Sequence, residues 1–149
     1  MNQVPEQADT VARTLFGEAR GQGKDGMTGV ACVIINRCRA AQQYVIAHGK
    51  PHPLFGDGTP ESCCWVDEQF SSWNDDDPNL DVIENVTLAD PVFKDAMDIA
   101  TAAVGGALSD ITNGATYYYA KSMPKPPYWA KGKTPCADIG GQLFYNNIN

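Results

Sequence analysis

The stretch GMTGVACVIINR, residues 26–37, decides how the rest of the chain must be arranged. Its apolar residues cover more than one side of a helix, and they are Met27, Val30, Ala31, Val33, Ile34, Ile35 and, just beyond, Cys38. A helix that is apolar nearly all round usually lies in the centre of a core. We therefore predict a central helix that is capped by Asp25 and closes at the polar pair Asn36–Arg37.

A second helix is predicted upstream of this one. Apolar residues recur there at the i, i+3, i+4, i+7 spacing of one helix face, namely Ala8, Val11, Ala12 and Leu15. The pattern runs to about Phe16, after which Gly17 and Gly21 interrupt the chain. These residues indicate a helix with one buried face that ends close to Glu18.

Downstream, one more helix and one short strand or extended segment are predicted. Asp90–Pro91 is a typical helix start, and the apolar stripe that follows it ends at Gly105–Gly106. The segment ATYYYA, residues 115–120, favours a strand because tyrosine is common in strands. A short apolar segment at 142–145 closes the chain.

Loops make up much of the remainder. Residues 49–62 are rich in Gly, Pro, Asp and Ser, which predicts a loop, and the aromatic stretch Trp65–Trp73 is left without an assigned structure. Prolines after the tyrosine strand exclude regular structure there. We expect a single α+β domain over residues 1–149 that is mostly α, with a short β region and long loops.

Composition and charge exclude several classes of partner. The chain has 149 residues, 43% of them hydrophobic, and a formal net charge of −7. This balance argues against nucleic acid, because a phosphate backbone selects basic surfaces. No run approaches the ~18 apolar residues of a membrane span. The charge is uneven, since residues 51–93 hold ten acids without any Lys or Arg, while residues 121–133 hold four lysines without any acid. This split fits either a charged substrate or a solvated loop.

The cysteines are predicted to be reduced and structural. Cys32 and Cys38 fall in the apolar helical pattern, where cysteine acts as a small buried residue. Cys63 and Cys64 are adjacent, which is a poor arrangement for a conventional disulfide. The first ten residues lack the basic start and apolar centre of a secretory signal, so we expect a protein made in a cytoplasm.

Glu18, in the stretch GEARG at 17–21, is the leading candidate for chemistry. Phe16 offers an apolar neighbour, and a helix C-terminus disfavours negative charge, so both favour the protonated carboxyl that a general acid needs. The flanking glycines allow a sharp turn and leave room for a ligand. The alternative is a solvated carboxylate at a helix end, paired with Arg20.

Other catalytic and metal motifs are missing. His48 and His52 lie in the predicted loop region without HExxH or GxSxG, which argues against a zinc protease or a serine nucleophile. Asp75 could begin a calcium loop, but Leu80 and Val86 then occupy the positions that require Gly and Glu. We expect a solvated acidic turn here, with no metal and no cofactor; an irregular cation site near Asp75 is the alternative.

A cluster of aromatic residues allows two interpretations, and it comprises Tyr117, Tyr118, Tyr119, Tyr128 and Trp129. Alternate residues of a strand point inward, so part of the cluster belongs to the core. The other face would present rings and hydroxyls to a cleft, a combination that suits sugars.

Several motifs together resemble the SleB-type cell-wall hydrolases, which include spore-cortex lytic enzymes and phage endolysins. They are GEARG at 17–21, GMTGVACVIINR at 26–37, QFSSWN at 69–74, NGATYYYA at 113–120 and IGGQLFY at 139–145 after Trp129. The resemblance implies a small lysozyme-like fold that cuts peptidoglycan glycan strands between N-acetylmuramic acid and N-acetylglucosamine. It implies Glu18 as the catalytic acid and a groove lined by Gln69, Phe70, Ser71, Tyr117, Tyr118, Tyr119 and Trp129.

The family chemistry leaves the reaction open. A lytic transglycosylase needs only Glu18, whereas a muramidase or glucosaminidase needs a second carboxylate, for which Asp67, Glu68 and Asp75 are candidates. A glycan-binding module that does not cut is the other alternative. We favour the single-glutamate reaction in a monomeric phage endolysin that stays in the host cytoplasm until it is released to the wall. Delivery as part of a virion is the other route.

Overall fold

The computed structural model of the protein describes residues 4–66 and 69–148. Five α-helices and a small sheet are present in this part of the chain: α1 Val4–Ala19, α2 Gly23–His48, α3 Pro60–Trp65, α4 Asn79–Asn85, α5 Pro91–Val104, β1 Tyr117–Ala120, β2 Ala137–Ile139 and β3 Gln142–Tyr145. The predicted class, α+β and mostly α, is confirmed. These described ranges contain no helix that is both long and apolar enough to cross a membrane.

Helix α2 is the central core helix, but its predicted end was wrong. Val30, Val33 and Ile34 are fully buried, as the all-round apolar pattern requires. The helix continues past Arg37 to His48 because no Gly or Pro intervenes before Gly49, which has φ 70° and donates its N–H to Val45 at 2.7 Å. Its start also differs, since α2 begins at Gly23 and Asp25 lies in its first turn.

Helices α1 and α5 pack against each other. Phe16 of α1 meets Phe93 of α5 edge to face, with ring centroids 5.8 Å apart. The predicted start of α5 is confirmed, because the Asp90 carboxylate accepts hydrogen bonds from the N–H groups of Val92 and Phe93. The helix ends at Val104, just before the predicted glycine pair.

The three strands form an antiparallel sheet in the order β1-β3-β2, with Tyr118 opposite Phe144. Its inner face lies on α2. A methyl group at Gly29 would lie 2.5 Å from Phe144 Cζ, so the sheet can approach the helix this closely only because residue 29 is glycine. The contact sets the tyrosine strand alongside the central helix.

The predicted loop at 49–62 contains more structure than its composition indicates. Helix α3 starts at Pro60, and its cap is Thr59, whose hydroxyl accepts a hydrogen bond from the Ser62 N–H. The unassigned aromatic stretch includes a short 3-10 helix at Ser71–Trp73. Helix α4 was not predicted, because seven residues are too few to display a helical period.

Candidate active site

Glu18 lies in the last turn of α1, and the segment after residue 69 closes over it. Its Oε2 accepts two hydrogen bonds from Ser72, one from the backbone N–H at 3.1 Å and one from the hydroxyl at 2.6 Å. Ser72 is buried in the short 3-10 helix Ser71–Trp73. A buried backbone donor together with a hydroxyl donor fixes the orientation of the carboxylate.

Gly17 makes this contact sterically feasible. A methyl group there would lie 2.6 Å from Ser72 Cβ and 2.9 Å from Ile83 Cγ2. The sequence predicted that Gly17 ends the helix with a sharp turn, but α1 continues through it to Ala19. The glycine serves for close approach of two segments and not for a turn.

Tyr118 holds the other oxygen of the Glu18 carboxylate. Its hydroxyl donates to Glu18 Oε1 at 3.2 Å, and its ring stacks on Phe144 with centroids 5.8 Å apart. Burial, reinforced by the charge of Glu18, raises the pKa of Tyr118 well above its usual value, so the hydroxyl keeps its proton. A phenol can donate to an ionised carboxylate or accept from a protonated one, so the contact is compatible with both states of Glu18.

Two neighbours expected at Glu18 lie elsewhere. Side chains two residues apart are separated by about 200° around the helix axis, so they lie on nearly opposite sides of the helix. Phe16 therefore faces the core against Phe93 and provides no apolar wall at Glu18. Arg20 donates to Asn79 Oδ1 at 2.7 Å, so the alternative of a Glu18–Arg20 pair at a helix end does not describe this site.

Glu18 opens into a groove of about 530 Å³ on the side of the tyrosine strand. Such a volume is typical of a ligand site. The predicted residues that line this groove, which we call the Glu18 groove, are Gln69, Ser71, Tyr117, Tyr118, Tyr119 and Trp129. Phe70 is the exception, because it is only 1% exposed and packs in the core beneath the groove.

The aromatic residues divide between the two faces of β1, as the alternation of a strand requires. Tyr118 points to Glu18 and the core. Tyr117 and Tyr119 lie on the other face, where Trp129 meets their rings edge to face at 5.1 and 5.9 Å. The groove therefore has a floor with a carboxylate and a wall of aromatic rings.

Comparison with known proteins places the chain in a family. The model of the Cell Wall Hydrolase family matches residues 21–145, which is 125 of the 149 residues. The chain belongs to the Cell Wall Hydrolase family. Neither a curated protein nor a solved structure matches it. The protein is thus an enzyme of this family that acts on peptidoglycan, and its suspected SleB-type membership is confirmed.

The family match begins three residues after Glu18, so it does not include the proposed catalytic acid. Tertiary contacts connect Glu18 to the matched range. Ser72 and Tyr118, the partners of the Glu18 carboxylate, both lie inside the matched range. In this cell-wall hydrolase the end of α1 therefore completes a groove whose other described lining residues lie within the family match.

Two polar residues in the groove were missed by the sequence analysis. Arg37, only 4% exposed, donates from Nε to the Thr116 carbonyl at 2.7 Å, and its guanidinium carbon lies 5.2 Å from the Phe70 ring centre. Gln142 is 1% exposed. Within residues 4–66 and 69–148, Arg37 Nη1 and Gln142 Oε1 are buried without a hydrogen-bond partner. An arginine in the middle of an apolar helical pattern was the available signal.

Both histidines have structural positions in this cell-wall hydrolase. His48 was predicted to lie in a loop, but it is the last residue of α2. His52 accepts hydrogen bonds at Nδ1 from the N–H groups of Leu54 and Phe55, and it stacks on the Phe55 ring at 4.5 Å. Burial lowers the pKa of His52. These contacts shape the loop beside the groove.

Of the three candidates for a second carboxylate, one lies in the described part of the chain. Asp75 is exposed and does not line the groove. Asp67 and Glu68 lie outside the described residues. In the described ranges, no three His, Cys, Asp or Glu residues are grouped so that they could hold a metal ion.

Proposed function

We propose that this cell-wall hydrolase cuts the glycan strand between N-acetylmuramic acid and N-acetylglucosamine, with Glu18 acting first as acid and then as base. The observation that carries the proposal is the Glu18 carboxylate, held by Ser72 and Tyr118 at a groove of about 530 Å³. Among the described residues that line the groove, Glu18 is the only acid. A reaction that needs one carboxylate fits this lining best.

The proposed reaction balances without water. Protonated Glu18 donates its proton to the glycosidic oxygen as the bond from that oxygen to C1 breaks through an oxocarbenium-like state. The carboxylate then removes the proton from the C6 hydroxyl of the same muramic acid, and that oxygen bonds to C1. The products are a 1,6-anhydromuramic end and a free hydroxyl on the departing sugar, and Glu18 is protonated again.

The groove chemistry supports a sugar chain as the ligand. Tyr117, Tyr119 and Trp129 offer ring faces and edges for the apolar faces of pyranose rings. Gln69 and Ser71 line the same groove and supply amide and hydroxyl groups for the sugar edges. The net charge of −7 gives no attraction to an anionic polymer, so these short-range contacts must supply most of the affinity.

The experiment is mass spectrometry of the soluble fragments released from isolated peptidoglycan. Anhydromuramic ends from the wild type, absent with Glu18→Gln, are the expected result. Reducing muramic or glucosamine ends would overturn the transglycosylase reaction in favour of a muramidase or a glucosaminidase. Binding to peptidoglycan without any fragments would make the domain a glycan-binding module.

The same assay tests for a second carboxylate. We expect Asp67→Asn and Glu68→Gln to release the same anhydromuramic products as the wild type, because the proposed reaction uses one acid. Asp75→Asn serves as the matched control, since Asp75 is exposed and outside the groove. A loss of product with the first or second variant alone would identify the missing carboxylate of a hydrolase.

For the biological role, we propose a phage endolysin that stays in the host cytoplasm until the membrane is opened. The thiols support this proposal, since Cys38, Cys63 and Cys64 are buried and free, as in a protein that folds in a reducing compartment. Expression in a bacterial host should cause lysis only when a membrane-permeabilising agent is added. Lysis without the agent would contradict retention in the cytoplasm.

A further inference from the structure

A segment that carries positive charge and no acid lies beside the Glu18 groove of this acidic protein. Residues 121–133, here called the basic rim, contain four lysines and no acid in a chain of net charge −7. Four residues of the same segment line the groove, and they are Met123, Pro127, Tyr128 and Trp129. The proposed catalytic function uses Trp129 but not the lysines.

The basic rim is held in place by one aromatic anchor. Trp129 packs edge to face against Tyr117, Tyr119 and Tyr145, with centroids 5.1, 5.9 and 5.3 Å apart. Its neighbour Ala130 is buried and donates its N–H to the Pro127 carbonyl at 3.0 Å. The prolines restrict the backbone further. The segment is therefore fixed next to the groove.

The outer side of the rim is unusually available to a ligand. Tyr128 is 91% exposed although its neighbour Trp129 is anchored. Lys121 is paired with Asp138 at 2.6 Å. The other three lysines, Lys125, Lys131 and Lys133, are exposed and form no ion pair within the described part of the chain.

We propose that the basic rim binds the carboxylates of the peptide stems attached to muramic acid. This inference rests on the proposed function, because a glycan strand in the Glu18 groove brings its stems to the groove edge. Stem peptides carry free carboxylates, and the three unpaired lysines offer complementary charge. The exposed Tyr128 ring adds apolar surface for the stem backbone.

A tethered stem makes weak contacts effective. Each exposed lysine–carboxylate pair contributes little by itself, because solvent screens the two charges. The stem is covalently joined to a sugar that already occupies the groove, so its effective concentration near the rim is high. The rim should therefore lower the KM for peptidoglycan that carries peptide stems and leave kcat unchanged.

The test compares two triple variants that remove the same charge. Lys125→Gln, Lys131→Gln and Lys133→Gln together remove the free charges of the rim. Lys24→Gln, Lys50→Gln and Lys94→Gln together are the control; Lys24 and Lys94 form exposed ion pairs with Asp95 and Asp98. Both variants are assayed on isolated peptidoglycan, freed of other wall polymers, and on glycan strands whose stems have been removed.

We expect the rim variant to raise the KM roughly 3- to 10-fold on intact peptidoglycan and to weaken its salt dependence. On stem-free strands the KM of the rim variant should equal that of the wild type. The control variant should have the wild-type KM on both substrates. An equal loss on both substrates would overturn the proposal in favour of glycan contacts. No loss on either substrate would also overturn the proposal and would make the rim a solvated face.

The proposal remains testable if the wild type cuts neither substrate, an outcome that would refute the proposed function. Soluble stem-bearing muropeptides are then titrated into the wild type and the rim variant, and binding is followed by NMR shifts. Shifts at residues 121–133 that are lost in the rim variant would support stem binding. Equal shifts in both proteins, or none in either, would overturn it.

Discussion

The floor and the rim of the Glu18 groove are built in opposite ways. The floor joins residues that are far apart in sequence, since Glu18 is 54 residues from Ser72 and 100 from Tyr118. Part-buried hydrogen bonds and the close contact at Gly17 hold these residues together. The rim is one continuous segment, anchored by Trp129, whose lysines and Tyr128 face solvent. Close packing makes the floor intolerant of change, whereas the rim can vary without loss of the fold. Substitutions in the floor should therefore have larger effects than substitutions in the rim.

Glu18→Gln should have the largest effect on activity. Loss of a general acid costs about 100- to 10,000-fold in rate, and the isosteric amide preserves the volume of the side chain. Peptidoglycan turnover by the variant should therefore be nearly lost, while its thermal unfolding curve should stay close to that of the wild type. Turnover close to the wild-type rate would remove Glu18 from the chemistry.

Gly17→Ala should damage both stability and activity. An alanine inside a helix is normally favoured over glycine by about 1 kcal/mol. Here the added methyl group would lie 2.6 Å from Ser72, and such overpacking costs about 1–3 kcal/mol. Displacement of the Ser72 segment should also reduce turnover by up to about 100-fold.

Gly21→Ala is the matched control for this substitution, because nothing lies within 4 Å of a methyl group at Gly21. Urea unfolding of the two variants gives the comparison. A stable Gly17→Ala protein with normal activity would show that the close contact between α1 and Ser72 is not required.

Ser72→Ala should lower activity by roughly 10-fold and leave the protein folded. The substitution removes the hydroxyl donor at 2.6 Å, while the backbone N–H at 3.1 Å still holds the same oxygen. One hydrogen bond to a charged group is worth about 1.5–3 kcal/mol. The loss should appear in kcat and not in KM, since Ser72 positions Glu18. A change in KM alone would assign Ser72 to substrate binding.

Tyr118→Phe should cause a smaller loss of activity, together with a change in alkaline stability. The raised pKa of Tyr118 means that its contribution to stability is intact below its ordinary pKa of 10.0 and is lost as the pH rises above that value. Without the hydroxyl, the free energy of unfolding should fall less steeply above pH 10. Tyr128→Phe, which removes the hydroxyl of an exposed ring, is the control.

Tyr128→Ala should have the smallest effect. At 91% exposure the ring contributes little to the fold, so unfolding should change by no more than about 0.5 kcal/mol. The KM for peptidoglycan should rise a few-fold while kcat stays the same. A large loss of stability would show that the rim packs as tightly as the floor, contrary to the comparison above.

The sequence predicts the helices where a periodic pattern has a clear stop signal. The predicted start of α5 is confirmed, since Asp90–Pro91 is a strong local cap. The predicted burial of the centre of α2 is also confirmed, since its apolar residues surround the helix. The predicted end of α2 was wrong, since Arg37 was interpreted as a polar terminus when it is a buried arginine inside the helix. Local polarity does not reveal a partner that is distant in sequence, such as the Thr116 carbonyl.

The sequence by itself determined the fold class, the choice of Glu18 as the candidate acid and the aromatic strand beside it. These depend on residue type, periodicity and recognisable motifs, which are local properties of the chain. Only the tertiary structure decided that Ser72 and Tyr118 hold Glu18, that Phe70 lies in the core and that the lysine-rich segment forms the groove rim. The physical reason is that contacts across 54 or 100 residues are set by the packing of helices and sheet, which no short stretch of sequence specifies.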